Sequence, residues 1–253
     1  MAVIYGINPV LEALKSGNVQ KIVLAQNRGG ESMAKLLMLA EKKSIQVEFR
    51  GRSYLDRLAG YAVHQGVVCF SPEFVFVDVE DLAVRRNKAD RNRLILILDS
   101  VTDPQNLGAL IRSAHCFGVD GIIIPRNRAA TVTPVVVKAS AGAAQHMAVA
   151  RVVNIVNTIE MLKRHGFWIY GAEAGAGKEI SRVKYEEQVG LVMGSEGVGI
   201  RPLIKRKCDE LVSIPLAGTV GSLNVSVAAG IILFDIFMKR FGSKSVTCQE
   251  LFE

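Results

Sequence analysis

The chain predicts an α/β protein in two parts, a compact α/β module followed by a mostly parallel sheet with helices on both faces. Three observations carry this. Aliphatic runs recur after residue 93, helical patterns lie between them, and the most polar stretch, Asp78 to Arg93, separates this alternation from the residues before it. The resulting division is 1–75, a linker at 76–92, and 93–253, with 253 residues being enough for two parts that each bury a core.

In the front part, Pro9 to Ser16 reads as a short helix and Lys21 to Ala25 as a strand. Glu31 to Lys43 reads as a helix because Met33, Leu36, Leu37 and Ala40 fall at helical spacing. Ile45 to Phe49 and Gly66 to Phe70 supply two more strands. The linker follows from Glu80, Asp81, Arg85, Arg86, Lys88, Asp90 and Arg91, which interrupt any apolar stripe.

Behind it, Leu94 to Leu98 is continuously aliphatic, as strands covered on both faces are, and Gly121–Ile124, Phe167–Tyr170, Gly190–Met193 and Leu211–Ile214 repeat the pattern. Helices are expected at Leu107–Cys116, Ile155–Arg164, Ile200–Lys207 and Val225–Arg240. Ligands of such sheets sit beyond the carboxyl ends of the strands, so the loops after these runs are where a site belongs.

Composition narrows the function classes. Apolar residues at 49% and charged residues at 22% are ordinary globular usage, which disfavours disorder. Lys and Arg exceed Asp and Glu by 7, an excess spread along the chain that favours a polyanionic partner, nucleic acid first and an anionic membrane second. The longest apolar stretch, Val225 to Phe234, is too short to span a bilayer, and the first residues lack the apolar run of a secretory signal, so a cytoplasmic protein is expected. The cysteines at 69, 116, 208 and 248 and the histidines at 64, 115, 146 and 165 form no short ligand spacing; reduced thiols and no metal site are expected.

Two nucleotide signatures fail. Gly175-Ala176-Gly177-Lys178 resembles the end of a phosphate loop, but Ala172 stands where its first glycine belongs and Glu179 where Ser or Thr must reach magnesium; a surface loop is the better reading. Gly194-Ser195-Glu196-Gly197-Val198-Gly199 has its glycines in the reverse of the dinucleotide-binding order.

Three ordered segments remain, each joining a strand end to polar or flexible residues. In Leu98 to Ala114, Asp103-Pro104 turns the chain, Asn106 is placed to cap or open a helix, and Arg112 follows six residues on, about 600° around the helix. In Gly190 to Ile200, three glycines allow close backbone approach to a ligand and Glu196 is the only charge in the turn. In Ile214 to Gly230, a loop of small residues leads into a helix with Ser222 and Asn224 as alternative caps. Taken singly, each segment is equally a capped helix or a structural turn.

The segments DPQNLGALIRSA, VMGSEGVGI and IPLAGTVGSLNVSVAAGI resemble, in order, the three motifs of the SpoU (TrmH-like) class of the SPOUT superfamily, RNA ribose 2′-O-methyltransferases that use S-adenosylmethionine. Tyr5-Gly6-Ile7-Asn8-Pro9-Val10-Leu11-Glu12-Ala13-Leu14, with His64-Gln65-Gly66-Val67-Val68, is similar to the substrate-binding domain of the RlmB-type enzymes of that class, which methylate a guanosine of 23S rRNA.

The resemblance implies a catalytic domain closed by a deep trefoil knot, homodimerisation through that domain, and an N-terminal RNA-binding fold like that of ribosomal protein L-thirty. It implies that Gly194, Ile214, Ser222, Leu223 and Asn224 bind the methyl donor, and that Asn106, Arg112, Glu196, Ser222 and Asn224 form the catalytic set. The family implicates Arg112 as base; a guanidinium stays charged, so holding a phosphate or polarising the hydroxyl suits it better. Arg126 and Arg128 are expected at RNA phosphates beside Arg112. Gln145 stands where the family often has an acidic residue. With one tryptophan and five tyrosines, recognition by shape and backbone is expected over base stacking.

The acceptor implied is 23S rRNA or a ribosomal particle. A tRNA 2′-O-methyltransferase is the near alternative and a noncatalytic RNA-binding assembly factor the distant one; the retained Asn106, Arg112, Glu196 and Asn224 argue against the latter.

Overall fold

In the computed structural model the described residues are all except 16, 18, 27, 28, 73, 85–91, 177, 220 and 243–253. Strands β1 (Ala2–Tyr5), β2 (Lys21–Ala25), β3 (Gln46–Arg50) and β4 (Val67–Ser71) alternate with helices α1 (Ile7–Lys15), α2 (Glu31–Lys42) and α3 (Arg52–Leu58). Next come α4 (Val79–Ala83), β5 (Arg93–Leu98), α5 (Pro104–Cys116), β6 (Gly121–Pro125), α6 (Pro134–Ala139), β7 (Val149–Val152) and α7 (Ile155–Arg164). The chain continues through β8 (Trp168–Ala172), β9 (Lys178–Glu179), β10 (Gln188–Met193), α8 (Pro202–Lys205), β11 (Glu210–Ser213) and α9 (Val225–Phe241).

These form two compact units. Met1–Val75, with Leu107–Arg112 and Thr131–Met147, make the first; the remainder makes the second. The first is built on a sheet of order β1-β4-β2-β3, in which only the β2–β3 pair is parallel. Successive side chains of β2 point to opposite faces, and Val23 and Ala25 join Tyr5, Leu55, Ala59 and Val68 in one core layer. Elements β1, α3 and α6 of this unit have no counterpart among the expectations from sequence, being short and without clear periodicity.

The second unit carries a seven-stranded, wholly parallel sheet of order β7-β6-β5-β10-β8-β11-β9. Every residue of β5, β6 and β10 is buried, which is why these segments read as unbroken aliphatic runs. The strand order reverses between β5 and β10, whose register pairs Leu94 with Val189 and Leu98 with Met193. Because the strands are parallel, the loops after β5, β6, β8, β10 and β11 all leave at one edge.

Three expectations change. The described part of 76–92 is not a bare linker: Val77 bridges to Ala150, and Leu82 and Ala83 are buried in the core of the second unit. Charged neighbours mask this short apolar side in the sequence, and 85–91 lie outside the described residues. The helix expected at Ile200–Lys207 is one turn, Pro202–Lys205, begun by a proline that suits a first helical position. In the Gly175–Lys178 stretch, whose Gly177 lies outside the described residues, Lys178 enters strand β9 and pairs with Glu210 at 2.6 Å.

Cys69, Cys116 and Cys208 are free thiols, and Cys248 lies outside the described residues. Burial pushes Cys69 and Cys208 up to about 12, so both stay protonated at neutral pH. Among the described residues no helix is long and apolar enough to cross a membrane.

Leu96 sits fully buried in the middle of β5, flanked by β6 and β10. Leu96→Ala is expected to cost about 2–5 kcal/mol in urea unfolding, from lost transfer energy plus the cavity left behind. A loss under about 1 kcal/mol would mean that this sheet is not the core of the unit.

Candidate functional site

The loop after β5 begins at Asp99, whose carboxylate is completely buried. It accepts from the Arg201 backbone N–H at 2.8 Å, the Arg201 Nε–H at 2.7 Å and the Ser100 hydroxyl at 3.0 Å. A buried carboxylate must be hydrogen-bonded, and this one is satisfied by the far end of the loop that follows β10. Asp99 thus pins that loop to β5, a role the sequence reading missed because its partner lies 102 residues away.

At the start of α5, Asp103 is the cap: its side chain accepts from the Gln105 backbone N–H at 3.0 Å, and Pro104 opens the helix. Asn106 was expected to cap or open this helix; it is instead the third helical residue, and its largely buried carboxamide points across to the loop after β10. That loop closes on itself through reciprocal backbone bonds between Ser195 and Gly199 at 3.2 and 2.9 Å. Gly194 makes the closure possible, since a Cβ there would lie 2.0 Å from the Gly199 carbonyl carbon. The glycine expected to admit a ligand therefore admits the chain's own backbone.

Glu196, at the tip of this loop, receives two amides on one oxygen. Asn106 Nδ2 donates to Oε1 at 2.9 Å and Asn224 Nδ2 at 2.5 Å, while Asn224 Nδ2 also donates to Asn106 Oδ1 at 3.0 Å. Asn224, not Ser222, caps α9, accepting from Ser226 and Val227 backbone N–H groups at 2.9 and 3.3 Å. One side chain thereby starts a helix with its oxygen and joins two other loops with its nitrogen. Residues from three segments separated by 90 and 28 positions meet at one carboxylate.

Beside this cluster lies a cavity of about 470 Å³, lined by Gly194, Glu196, Ile214, Ser222, Leu223 and Asn224 among others. The size is that of a small-molecule site. Its walls leave large apolar residues uncovered, Val198 at 77%, Leu216 at 40% and Leu223 at 38% exposure. Glu173, at the end of β8, also lines the cavity and holds Lys205 at 2.6 Å; the sequence offered no signal for it.

The remaining predicted residues lie outside the hydrogen-bonded cluster. Arg112 is exposed on α5, and Arg126 and Arg128 are exposed in the loop after β6, at the same sheet edge as the cavity loops of the second unit. Gln145 lies in a short helical turn of the first unit.

Residues 93–234 match the model of the SpoU rRNA Methylase family, and residues 3–74 match that of the RNA 2′-O ribose methyltransferase substrate binding domain. The chain belongs to the SpoU methylase family. It is 39% identical over 239 residues to a relative assigned to the TrmH family of tRNA/rRNA methyltransferases in Staphylococcus saprophyticus, covering 94% of this chain and 96% of that one. YacO of Bacillus subtilis, likewise assigned, is 38% identical over 94% of this chain and 95% of its own. The crystal structure of the SpoU methyltransferase AviRb of Streptomyces viridochromogenes, in complex with AdoMet, superposes with a TM-score of 0.77 at 24% identity, over 95% of this chain and 90% of that one, a likeness of fold. The SpoU chain described here is thus an α/β methyltransferase with an N-terminal substrate-binding part.

Gly194→Ala is expected to open the loop while sparing the sheet. Hydrogen exchange at the Ser195 and Gly199 amides should rise with the exchange of β5 and β10 amides unchanged; protection equal to wild type would show that the loop tolerates a Cβ there.

Proposed function

We propose that this enzyme methylates a ribose 2′-hydroxyl of RNA with S-adenosylmethionine as donor, the acceptor being a guanosine of 23S rRNA. The observation that carries the reading is the meeting of Asn106, Glu196 and Asn224 at the rim of a cavity of cofactor size. The residues present suit the donor: apolar walls at Ile214, Leu216 and Leu223 for its adenine, and polar side chains at Ser222 and Asn224 for hydrogen bonds that fix it. The sulfonium supplies an already activated methyl group.

The protein's work is then alignment and proton management. Gly194, Ile214, Ser222, Leu223 and Asn224 hold the donor. Both amides bond Glu196 through Oε1, so Oε2 is left to accept from the ribose hydroxyl and set its approach. Arg112 holds the neighbouring phosphate or polarises the hydroxyl, and Arg126 and Arg128 bind phosphates along the strand. With the hydroxyl held at Glu196 Oε2, its proton would pass by way of this polar group to solvent as the oxygen is methylated.

The match of residues 3–74 to a substrate-binding model favours rRNA over the tRNA alternative, since tRNA enzymes of the class commonly lack so full a front module. It supports the division into an RNA-binding domain at 1–75, a connecting segment at 76–92 and a catalytic domain at 93–253. The trefoil knot formed by the loops after β10 and β11, and action in the cytoplasm, belong to the same reading. So does a homodimer: Val227, Ile231, Phe234 and Met238 are half-exposed at helical spacing along α9, an apolar stripe that a second copy would cover.

With unmodified 23S rRNA and labelled donor, transfer is expected to a ribose, giving an alkali-resistant linkage; label on a base would exclude the reaction. Arg112→Ala should reduce transfer by 100-fold or more, on the order of one lost transition-state contact, with donor affinity within about twofold of wild type. Lost donor binding would move Arg112 into the cofactor pocket. Phe234→Glu should convert a dimer to monomer in sedimentation equilibrium, and an unaltered mass would place the interface elsewhere.

A further inference from the structure

The turn joining α3 to β4 in the first unit is held far more tightly than its length requires. Gly60, Tyr61, Gln65 and Gly66 all have positive φ, at 59°, 61°, 54° and 77°. The Tyr61 backbone N–H donates to the Asp56 carbonyl at 2.7 Å, and the Gln65 side-chain oxygen accepts from the Ile7 backbone N–H at 3.0 Å. His64, 3% exposed, bonds Asp56 through Nε2 at 2.9 Å and accepts the Gly66 N–H on Nδ1 at 3.0 Å. From α6, Lys138 donates to the Val63 carbonyl at 2.6 Å with its ammonium 5.0 Å from the Tyr5 ring centre.

This scaffold holds two large apolar side chains in water, Tyr61 at 81% and Val63 at 73% exposure. Tyr61 occupies a left-handed conformation that glycine or asparagine adopts more readily, so folding alone does not call for a ring there. Charged groups of this turn are the Lys138 ammonium, fixed at the Val63 carbonyl, the exposed Arg57, and the Asp56 carboxylate, which is engaged by His64.

We propose that Tyr61, with Val63 beside it, is a preorganised stacking step for an unpaired base of the RNA, and that Lys138 and Arg57 draw the adjoining phosphate. The proposal rests on the RNA-methyltransferase reading and extends it to the first unit. A flat ring with one polar edge, carried on a turn whose backbone is pinned and which also bears Arg57 and receives Lys138, matches a nucleobase face next to its phosphate, and stacking tolerates any base. It also revises the expectation that too few aromatic residues exist for stacking: one exposed ring on a pinned turn in the substrate-binding part serves a single flipped or looped base.

The test is RNA affinity of the full chain, measured by filter binding to 23S rRNA transcribed in vitro and, in parallel, to a tRNA transcript. Tyr61→Ala should weaken binding about 5- to 150-fold, the range of one lost base–aromatic stack. Tyr61→Phe should stay within about twofold, since the ring and not the hydroxyl makes the contact. The logarithmic salt slope should be unchanged in both, because no charge is removed. The melting temperature of Tyr61→Ala should not fall, which separates lost contact from lost fold. Equal RNA binding by wild type and Tyr61→Ala would overturn this proposal alone. An equal loss in Tyr61→Phe would replace stacking by a hydroxyl contact and overturn it too. Wild-type protein that bound S-adenosylmethionine but neither RNA would overturn the RNA reading and this one together.

Discussion

The site depends on one carboxylate oxygen. Glu196 Oε1 takes amide donors from Asn106 on α5 and from Asn224 at the head of α9, and those residues are also bonded to each other. Three loops with no sequence proximity are thereby fixed at the sheet edge. The arrangement is available only because the sheet is parallel: strands β5, β10 and β11 all end on the same side, so the segments that follow them can converge. Asp99 reinforces it from beneath, tying β5 to the half-exposed Arg201 through a carboxylate that itself has no access to water. Removing that partner would leave a buried charge uncompensated, which explains why an arginine stands just past the loop after β10.

How much of this was legible in the residues follows from where each signal is local. The aliphatic runs of β5, β6 and β10 declare themselves because strands buried on both faces are filled with apolar side chains, here with Arg93 and Gln188 as polar exceptions at the strand starts. Helix α7 declares itself through a strongly one-sided apolar pattern and an Asn154 cap accepting from Val156 and Asn157. By contrast, β1 and α3 are four and seven residues long and lean on neighbours for their stability. Helix α4 is hidden differently. Its Leu82 and Ala83 are core residues, yet acidic side chains in its first turn and basic residues just beyond make the stretch read as solvated.

At the site the same rule holds. Asn106, Glu196 and Asn224 stand in the sequence as turn residues whose ordinary explanation is capping, and only Asn224 caps. Resemblance to the SpoU motifs singled them out; helix geometry could not, because their partners come from other segments. Asp99 and Glu173 show the limit of that help. Neither belongs to the quoted site sets, and each is recognisable only once Arg201 and Lys205 are seen beside them. The glycine at 194 was legible as a glycine that matters, but its reason is internal crowding and not ligand approach.

The two units solve the problem of holding residues in place by different means. In the second, a buried parallel sheet supplies the rigidity and the loops need only a few bonds to converge. In the first, the sheet is mostly antiparallel and small, and the turn after α3 is stiffened by a buried histidine and a lysine acting on its backbone and by Gln65, whose side chain ties it to the Ile7 N–H of α1. A turn that served only to connect α3 with β4 would need none of these, since a flexible connection costs little in a short loop. Rigidity there has a use when the exposed side chains must be met by another molecule without further ordering, because each side chain immobilised on binding subtracts from affinity. Under the stacking proposal, Tyr61 and Val63 are groups presented for such a meeting rather than apolar residues left over at the surface.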